Sequence, residues 1–285
     1  MAVSRIAVLG SGLMGRGIAY AAAVGGFETV LFDVSASALD RALGQIDADL
    51  KDGVARGKLT PDAATAARGR IVTASSLETA VHQAHFVIEA VPEDIALKLS
   101  TFARLDSLCP TEVVLATNTS ALSVTEIASA AKHPERVLGM HFFNPVTKMK
   151  LVEIVRALGT GDDAMLCTEE VARRMDKETV RVRDSAGFVT SRINAMIGNE
   201  AFSMLENGLA RARDIDKALR LGLNHPMGPF ELVDLVGLDT RLAVLEFLHE
   251  NLGERYRPSA LLVQYVKAGR LGRKVGRGVY DYEAK

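Results

Sequence analysis

A glycine-rich segment near the amino terminus most strongly constrains what this chain can fold into. The segment matches the pattern G-x-G-x-x-G, directly follows the apolar run at residues 6–9 and opens a helical pattern. Its residues are Gly10, Ser11, Gly12, Leu13, Met14 and Gly15. In such a turn the first glycine permits the tight bend, the second lets the backbone approach a pyrophosphate, and the third lets the helix pack closely on the strand. Unpaired N–H groups at the helix start would bind the anion. A strand–helix turn without a ligand is the alternative.

A carboxylate at the end of the second apolar run supplies the partner that such a motif needs. Residues 29–32 form this run, and Asp33 follows directly. A carboxylate there accepts hydrogen bonds from ribose hydroxyls and repels a 2′-phosphate. Val34 and Ser35 come next, without an arginine for that phosphate. The sequence therefore predicts NAD rather than NADP as the cofactor.

Alternating strand and helix patterns predict an α/β fold, with a doubly wound Rossmann-type domain at the amino terminus. Further apolar runs lie at residues 86–88, 113–115 and 137–138, as in a parallel sheet covered on both faces. Apolar residues at helical spacing predict an amphipathic helix at 94–106. Residues 150–155 alternate like a strand, which could be antiparallel at the far end of the sheet.

The segment 36–68 departs from the simple alternation. It is helical in pattern but is broken by Gly53 and Gly57 and by the pair Thr60 and Pro61. Because proline suits the first turn of a helix and threonine its cap, we predict two helices that form a protrusion.

The chain changes character near residue 187, where convincing strand runs stop. We place the domain boundary at residues 184–187, which gives an NAD-binding domain at 1–185 and an all-helical domain at 186–285. The first helix of the second domain carries a row of apolar residues on one predicted face, namely Ile193, Ile197 and Met204.

Composition and charge exclude several classes of function. A formal net charge of −1 gives no global electrostatic case for nucleic acid or membrane binding. No uncharged apolar stretch of about 18 or more residues is present, so a membrane span is not expected. An apolar run within residues 1–24 could pass for a secretion signal, but Arg16 interrupts it. Cys109 and Cys167 lack metal-ligand spacing, so a cytoplasmic protein without a metal is expected.

Two polar features follow predicted strands at the edge where such folds bind ligands. Ser120 ends the sequence Asn-Thr-Ser after the fourth apolar run, where capping of a helix is the structural alternative. His141 follows the fifth run, and Glu153 interrupts an apolar strand twelve residues later. A buried carboxylate needs a partner, and an imidazole would supply one. Such a pair could take the hydroxyl proton in an alcohol oxidation, although His141 could be a core residue and Glu153 could face solvent.

These motifs and several others occur in order along essentially the whole chain. They are residues 10–15, Asn118-Thr119-Ser120, His141-Phe142-Phe143-Asn144-Pro145, Glu153, Gly187-Phe188-Val189, His225-Pro226-Met227-Gly228-Pro229 and Gly276-Arg277-Gly278-Val279-Tyr280. Together they resemble the 3-hydroxyacyl-CoA dehydrogenase family.

The resemblance implies NAD-dependent oxidation of a short-chain (S)-3-hydroxyacyl-CoA, and the reverse reduction. It implies that His141 is the general base in oxidation, that Glu153 orients it, and that Ser120 hydrogen-bonds the substrate oxygen. It also implies side-chain contacts to NAD from Glu89, Glu93, Lys98, Asn144 and Lys274. The helical protrusion would bind coenzyme A, and the second domain would bind substrate and form a homodimer.

The sequence departs from the family at one position and supports some assignments weakly. Ser191 stands where the family often has an asparagine that holds the substrate carbonyl, and Asn194 is an alternative donor. Lys51, Arg56 and Lys58 would suit coenzyme A phosphates, but they could also form a solvated face. Lys98 could instead pair with Asp94 on a helix surface.

Two other functions remain open from the sequence. One is a dehydrogenase of a free hydroxy acid or sugar acid. The β-hydroxyacid dehydrogenases carry a lysine on the first helix after the domain boundary, whereas residues 187–206 contain Arg192 and no lysine; sugar-acid dehydrogenases are not excluded in this way. The other is a non-catalytic NAD-binding protein, against which the set of Ser120, His141 and Glu153 argues.

Overall fold

The computed structural model describes residues 3–282, and the chain divides into two compact units between Ser185 and Ala186. Within the described residues, the amino-terminal unit contains one eight-stranded sheet. Its strands are β1 (Arg5–Leu9), β2 (Glu28–Phe32), β3 (Ile71–Ala74), β4 (Phe86–Glu89), β5 (Val114–Thr117), β6 (Val137–Phe142), β7 (Leu151–Arg156) and β8 (Glu178–Arg183).

The strand order places a ligand crevice at the middle of the sheet. The order is β3-β2-β1-β4-β5-β6-β7-β8, and all neighbours are parallel except β6 and β7. The order reverses between β1 and β4, and doubly wound sheets bind ligands outside the carboxyl ends of the strands at such a point. The predicted Rossmann-type fold is confirmed.

Helices connect the strands of this unit. They are α1 (Leu13–Val24), α2 (Ala36–Ala55), α3 (Pro61–Gly69), α4 (Leu77–Val81), α5 (Ile95–Leu108), α6 (Val124–Ala128) and α7 (Asp162–Arg174). The central strands β4 and β5 are buried at every residue, so both faces of the sheet are covered. On one face the core joins sheet residues such as Ile6 and Ile88 to Ile18 of α1 and Ile46 of α2.

Two strands, β3 and β8, were not predicted from the sequence. Neither contains the continuous apolar run by which the buried strands were predicted. β3 has four residues, of which Val72 is 56% exposed, so it shows no long apolar run. β8 alternates charged and apolar residues and pairs with β7 in parallel at the edge of the sheet. The strand predicted at 150–155 is antiparallel to β6, as expected, but it is not the last strand of the sheet.

The two helices predicted within 36–68 are present as α2 and α3. The side chain of Thr60 accepts a hydrogen bond from the backbone N–H of Ala63, and Pro61 opens α3. The pair is less of a protrusion than we expected, because Leu39, Ile46 and other residues of α2 are buried in the core of the unit.

The carboxyl-terminal unit is helical in its described residues, apart from isolated β-bridges near Arg277. Its helices are α8 (Thr190–Glu206), α9 (Ala212–Gly222), α10 (Pro229–Val236), α11 (Leu238–Leu252) and α12 (Ala260–Lys267). The residues predicted to share a face of α8 lie within this helix, but Ile193 is 56% exposed, whereas Gly198 and Phe202 are buried. Small residues let α8 approach its neighbours, and a Cβ on Gly198 would lie 3.2 Å from the side chain of Val233.

Two buried aspartates hold the carboxyl-terminal segment against this unit. Asp216 accepts hydrogen bonds from the N–H of Phe230 at 2.8 Å and from the hydroxyl of Tyr280 at 2.7 Å. Asp234 accepts from the N–H groups of Val279 and Tyr280. Burial, followed by the hydrogen bond to Asp216, raises the pKa of Tyr280, so its hydroxyl remains a donor.

Replacing Tyr280 with phenylalanine should lower the free energy of unfolding by about 1.5 kcal/mol, because a hydrogen bond to a buried carboxylate is lost. Urea-induced unfolding followed by circular dichroism measures the change. Tyr265→Phe is the matched control, since the Tyr265 hydroxyl makes no hydrogen bond within residues 3–282. Equal stability of the two variants would show that the tie contributes nothing.

Candidate active site

The turn between β1 and α1 has the backbone geometry that a dinucleotide needs. Gly10 has φ +95°, and a Cβ there would lie 2.5 Å from the carbonyl oxygen of Ala90. A Cβ on Gly15 would collide with the carbonyl oxygen of Gly10. In contrast, apart from Gly12 itself and its neighbours in the chain, no heavy atom of the described residues lies within 4 Å of a Cβ built on Gly12. The space over Gly12 is therefore open to a ligand.

The start of α1 presents backbone donors to that open space. Gly12 occupies the capping position and offers no side-chain acceptor to the first N–H groups of the helix. Leu13, the first helical residue, is 54% exposed. Because the start of a helix attracts negative charge, this position fits the pyrophosphate of NAD.

Asp33 lies at the end of β2, next to the glycine turn. Its Oδ2 accepts hydrogen bonds from the backbone N–H of Ser11 at 2.9 Å and from the Ser11 hydroxyl at 2.7 Å. Partial burial acts to raise the pKa of Asp33, but these bonds and one from the N–H of Ser35 outweigh it and lower the pKa below its ordinary value. An ionised carboxylate at this place fits a ribose diol and disfavours a 2′-phosphate.

The register of β6 and β7 brings His141 to Glu153. The strands are antiparallel, and the two residues are direct partners. Directly opposed residues project on the same face of a sheet, and His141 Nδ1 lies 2.8 Å from Glu153 Oε2. Glu153 is fully buried, and 9% of the His141 side chain is exposed. The alternative in which Glu153 faces solvent is therefore wrong.

Ser120 lies in the loop after β5, tied to the strand that carries His141. Asn118 Oδ1 accepts a hydrogen bond from the backbone N–H of Phe142 at 2.9 Å. Ser120 itself is exposed, and Ser123 rather than Ser120 caps α6. The capping alternative for Ser120 is therefore wrong, and its hydroxyl oxygen lies 3.4 Å from Glu93 Oε1.

Glu89 and Lys98, both of which were expected to contact NAD, form a buried ion pair. Both side chains are 0% exposed, and Lys98 Nζ lies 2.7 Å from Glu89 Oε1 and 3.0 Å from Oε2. Neither side chain presents surface to a ligand in this conformation. The surface pair of Lys98 with Asp94 is also wrong, because Asp94 caps α5 through the N–H of Leu97.

Glu93 connects the buried pair to the Ser120 loop. Its Oε1 accepts hydrogen bonds from the Thr119 hydroxyl at 2.6 Å and from the Ser120 N–H at 2.9 Å, while Oε2 lies 3.4 Å from Lys98 Nζ. The side chain is 39% exposed, so it retains surface for a ligand. This network was not predicted from the sequence. The available signal was Glu89, a carboxylate at the end of an apolar strand, which resembles the signal that Glu153 gives within its own strand.

The structure separates Lys51 from Arg56, which we expected to act together. Arg56 lines a cleft of about 320 Å³ beside α1, and Lys51 lines a different groove between α2 and α3. Asn144 is exposed and lines the cleft with Arg56. Other cationic residues of this cleft are Arg16, Lys58 and Lys148.

The remaining site residues belong to the carboxyl-terminal unit. Ser191 and Asn194 are partly buried near the start of α8. Lys274 pairs with Asp239, with 2.7 and 2.6 Å from its Nζ to the two carboxylate oxygens, and 46% of its side chain is exposed. In the part of the chain described, no group of three or more His, Cys, Asp or Glu residues could hold a metal ion.

Family models match both halves of the chain. Residues 5–185 match the 3-hydroxyacyl-CoA dehydrogenase NAD binding domain, and residues 187–282 match the 3-hydroxyacyl-CoA dehydrogenase C-terminal domain. The chain belongs to the 3-hydroxyacyl-CoA dehydrogenase family. It is accordingly an NAD-dependent oxidoreductase, which confirms the predicted family and cofactor.

Individual relatives of this 3-hydroxyacyl-CoA dehydrogenase are similar over nearly their full length. A probable 3-hydroxybutyryl-CoA dehydrogenase of Bacillus subtilis is 45% identical, covering 100% of this chain and 99% of the relative. A 3-hydroxybutyryl-CoA dehydrogenase of Bradyrhizobium diazoefficiens is 41% identical, with 98% and 96% coverage. The crystal structure of (S)-3-hydroxybutyryl-CoA dehydrogenase from Ralstonia eutropha has a TM-score of 0.96 at 39% identity, with 99% and 100% coverage. None of the helices in residues 3–282 has the length and apolar character to cross a membrane.

Proposed function

We propose that this dehydrogenase interconverts (S)-3-hydroxybutyryl-CoA, or a similar short-chain 3-hydroxyacyl-CoA, with the corresponding 3-oxoacyl-CoA. The observation that carries the proposal is the buried contact of 2.8 Å between His141 Nδ1 and Glu153 Oε2 at the carboxyl end of β6. The thioester substrate is supported by the names of the relatives from Bacillus subtilis and Ralstonia eutropha.

His141 is the proposed proton carrier. With its Nδ1–H donated to Glu153, the imidazole has Nε2 as the nitrogen that takes the proton of the substrate hydroxyl. The carboxylate holds this tautomer and stabilises the imidazolium that forms. In the reducing direction, the same nitrogen returns the proton to the oxygen on C3.

Ser120 is the proposed hydrogen-bond donor to the reacting oxygen. Its exposed position in the loop after β5, and the Asn118 tie from this loop to Phe142 beside His141, support this role. Ser191 is proposed to contact the substrate carbonyl as a hydroxyl in place of the family's asparagine.

The amino-terminal unit is proposed to bind the cofactor and the carboxyl-terminal unit to bind substrate. When bound, NAD accepts the hydride from C3 in oxidation, and NADH donates it in reduction. The pyrophosphate is proposed to lie over the glycine turn of residues 10–15 and the ribose at Asp33. Further contacts to the cofactor are proposed for Glu93, Asn144 and Lys274.

A cationic cleft is the proposed site for the phosphates of coenzyme A. Arg56 lines this cleft with Arg16, Lys58 and Lys148, and guanidinium and ammonium groups suit phosphate. Arg56 also pairs with Asp52 at 2.8 Å, which would hold its guanidinium in place. Lys51, in its separate groove, is left out of this proposal.

The protein is proposed to be a cytoplasmic homodimer. Exposed apolar side chains in the carboxyl-terminal unit support association, because an interface would remove their apolar surface from water. They include Ile193, Leu209, Leu221, Leu223 and Leu235, each more than half exposed. Both cysteines are free, in keeping with a reducing compartment. Light scattering after size-exclusion chromatography should give twice the chain mass; the mass of one chain would contradict the dimer.

The substrate class is tested by following NADH absorbance with acetoacetyl-CoA, longer 3-oxoacyl-CoA substrates and free acetoacetate. We expect rapid NADH oxidation with acetoacetyl-CoA and little with the free acid. Turnover of the free acid alone would support the hydroxy-acid alternative. Tight NADH binding without turnover of any acyl-CoA would support a non-catalytic function.

The choice of NADH over NADPH should depend on Asp33. Asp33→Asn keeps an acceptor for Ser11 but removes the charge, so the ratio of kcat/KM for NADPH to that for NADH should rise by about tenfold or more, a change of about 1.4 kcal/mol. Because hydrogen bonds lower the pKa of Asp33, its carboxylate stays ionised from about pH 5 upward, so protonation of Asp33 should not alter the wild-type preference in that range. Asp40→Asn, an exposed carboxylate on α2, is the control; an unchanged ratio in Asp33→Asn would contradict this role.

A further inference from the structure

We propose that the buried ion pair of Glu89 and Lys98 positions the catalytic hydroxyl of Ser120 by fixing Glu93. The proposal rests on the proposed function, in which Ser120 contacts the reacting oxygen. Glu89 and Lys98 are positioning residues here, because neither has surface that could touch a substrate.

The first step is the fixation of Glu89. Its Oε1 accepts hydrogen bonds from the N–H of Val91 at 2.7 Å and from Lys98 Nζ at 2.7 Å. Its Oε2 accepts from the Thr117 hydroxyl at 2.7 Å and from Lys98 Nζ at 3.0 Å. Two strand ends, β4 and β5, thus hold one carboxylate in a single orientation.

The second step is the orientation of Lys98. Its side chain is 0% exposed, and its ammonium lies between two carboxylates, those of Glu89 and Glu93. Removing two charges from water is costly, and an apolar pair of similar volume is often at least as stable. The contribution to stability therefore does not account for the Glu89–Lys98 pair. The pair does hold the Lys98 ammonium in a fixed position, where Glu93 can pair with it.

The third step is the positioning of Ser120 by Glu93. While Glu93 Oε2 lies 3.4 Å from Lys98 Nζ, Oε1 accepts from the Thr119 hydroxyl and from the Ser120 N–H. Glu93 Oε1 also lies 3.4 Å from the Ser120 hydroxyl oxygen. A partly exposed glutamate without its cation would have other rotamers in solvent, and the loop would lose its fixed acceptor.

A double-mutant cycle between Glu89 and Ser120 tests the coupling. We expect Glu89→Gln to lower kcat for acetoacetyl-CoA reduction by about tenfold in the wild type, and by less than about twofold in a Ser120→Ala background. A merely structural role would give the same fold-change in both backgrounds. Glu78→Gln, an exposed carboxylate paired with Arg104, is the control and should leave kcat unchanged.

Thr117 provides a second pair of variants that leaves all charges in place, in case Glu89→Gln does not fold. Thr117→Val removes the hydroxyl that donates a hydrogen bond to Glu89, and it should lower kcat by about threefold or more. Thr117→Ser retains the hydroxyl and should keep kcat near the wild-type value. Binding of NADH, followed by its fluorescence, should stay the same in both variants.

The two proposals fail in different ways. A wild-type enzyme that does not reduce acetoacetyl-CoA overturns the proposed function. An active wild-type enzyme in which the Glu89 or Thr117 effect is equally large with and without the Ser120 hydroxyl overturns the positioning role alone.

Discussion

Replacing His141 with glutamine should lower kcat for acetoacetyl-CoA reduction by about 10²–10⁴-fold, the range that general acid–base catalysis supplies. Glutamine has a similar reach but cannot carry a proton to the oxygen on C3. His141 lies in β6, and no contact to the cofactor is proposed for it, so the affinity for NADH should change by less than about threefold. Steady-state kinetics and NADH fluorescence titration measure the two quantities.

His133→Gln is the matched control for this experiment. His133 is an exposed histidine of the same unit, with 44% of its side chain exposed and its Nδ1 beside Glu135. It should leave kcat unchanged. Near-normal turnover in His141→Gln, with the control also normal, would remove the proton-transfer role of His141.

Replacing Glu153 with glutamine should have a similarly large effect, a loss in kcat for (S)-3-hydroxybutyryl-CoA oxidation of about 10²–10⁴-fold. A glutamine amide can donate a hydrogen bond to Nδ1, which favours the tautomer with the proton on Nε2. That tautomer cannot accept the substrate proton at Nε2, and the imidazolium loses its carboxylate. Nitrogen NMR of the labelled imidazole reports the tautomer, and kinetics report the rate.

Folding must be separated from chemistry in the Glu153 experiment, because the side chain is fully buried. Thermal unfolding of Glu153→Gln should show a folded protein that still binds NADH. Glu153→Asp retains the charge with a shorter reach and should recover part of the lost rate. A folded Glu153→Gln protein with full turnover would show that the carboxylate does not orient His141.

The cofactor-binding part of the fold was predictable because its signals are local. The glycine turn, the first two strands and the cap of α3 depend on residues close together in sequence. The edge strand β8 was not predictable in this way, because its pairing with β7 exists only once the sheet is assembled. Its alternating charged and apolar residues suit an exposed edge strand and differ from the continuous apolar run of a buried strand.

In the candidate site, too, some features could be predicted from nearby residues, and others depend on the assembled sheet. The contact of His141 with Glu153 was inferred from one carboxylate in an apolar strand, but the register that makes them partners lies in the sheet. The same argument applied to Glu89 would have pointed to a buried cation. Lys98 was available for that role, since it shares a helical face with Phe102 and Leu105, both buried in α5.

The central claim is direct hydride transfer between the cofactor and C3 of a thioester, with His141 carrying the proton. Its most direct test is reduction of acetoacetyl-CoA with NADH that carries deuterium in place of both hydrogens on C4 of the nicotinamide ring, followed by mass and NMR analysis of the product. The account predicts one deuterium on C3 of (S)-3-hydroxybutyryl-CoA. A product without deuterium on C3, deuterium that appears in the solvent, or a product of the opposite configuration would contradict it.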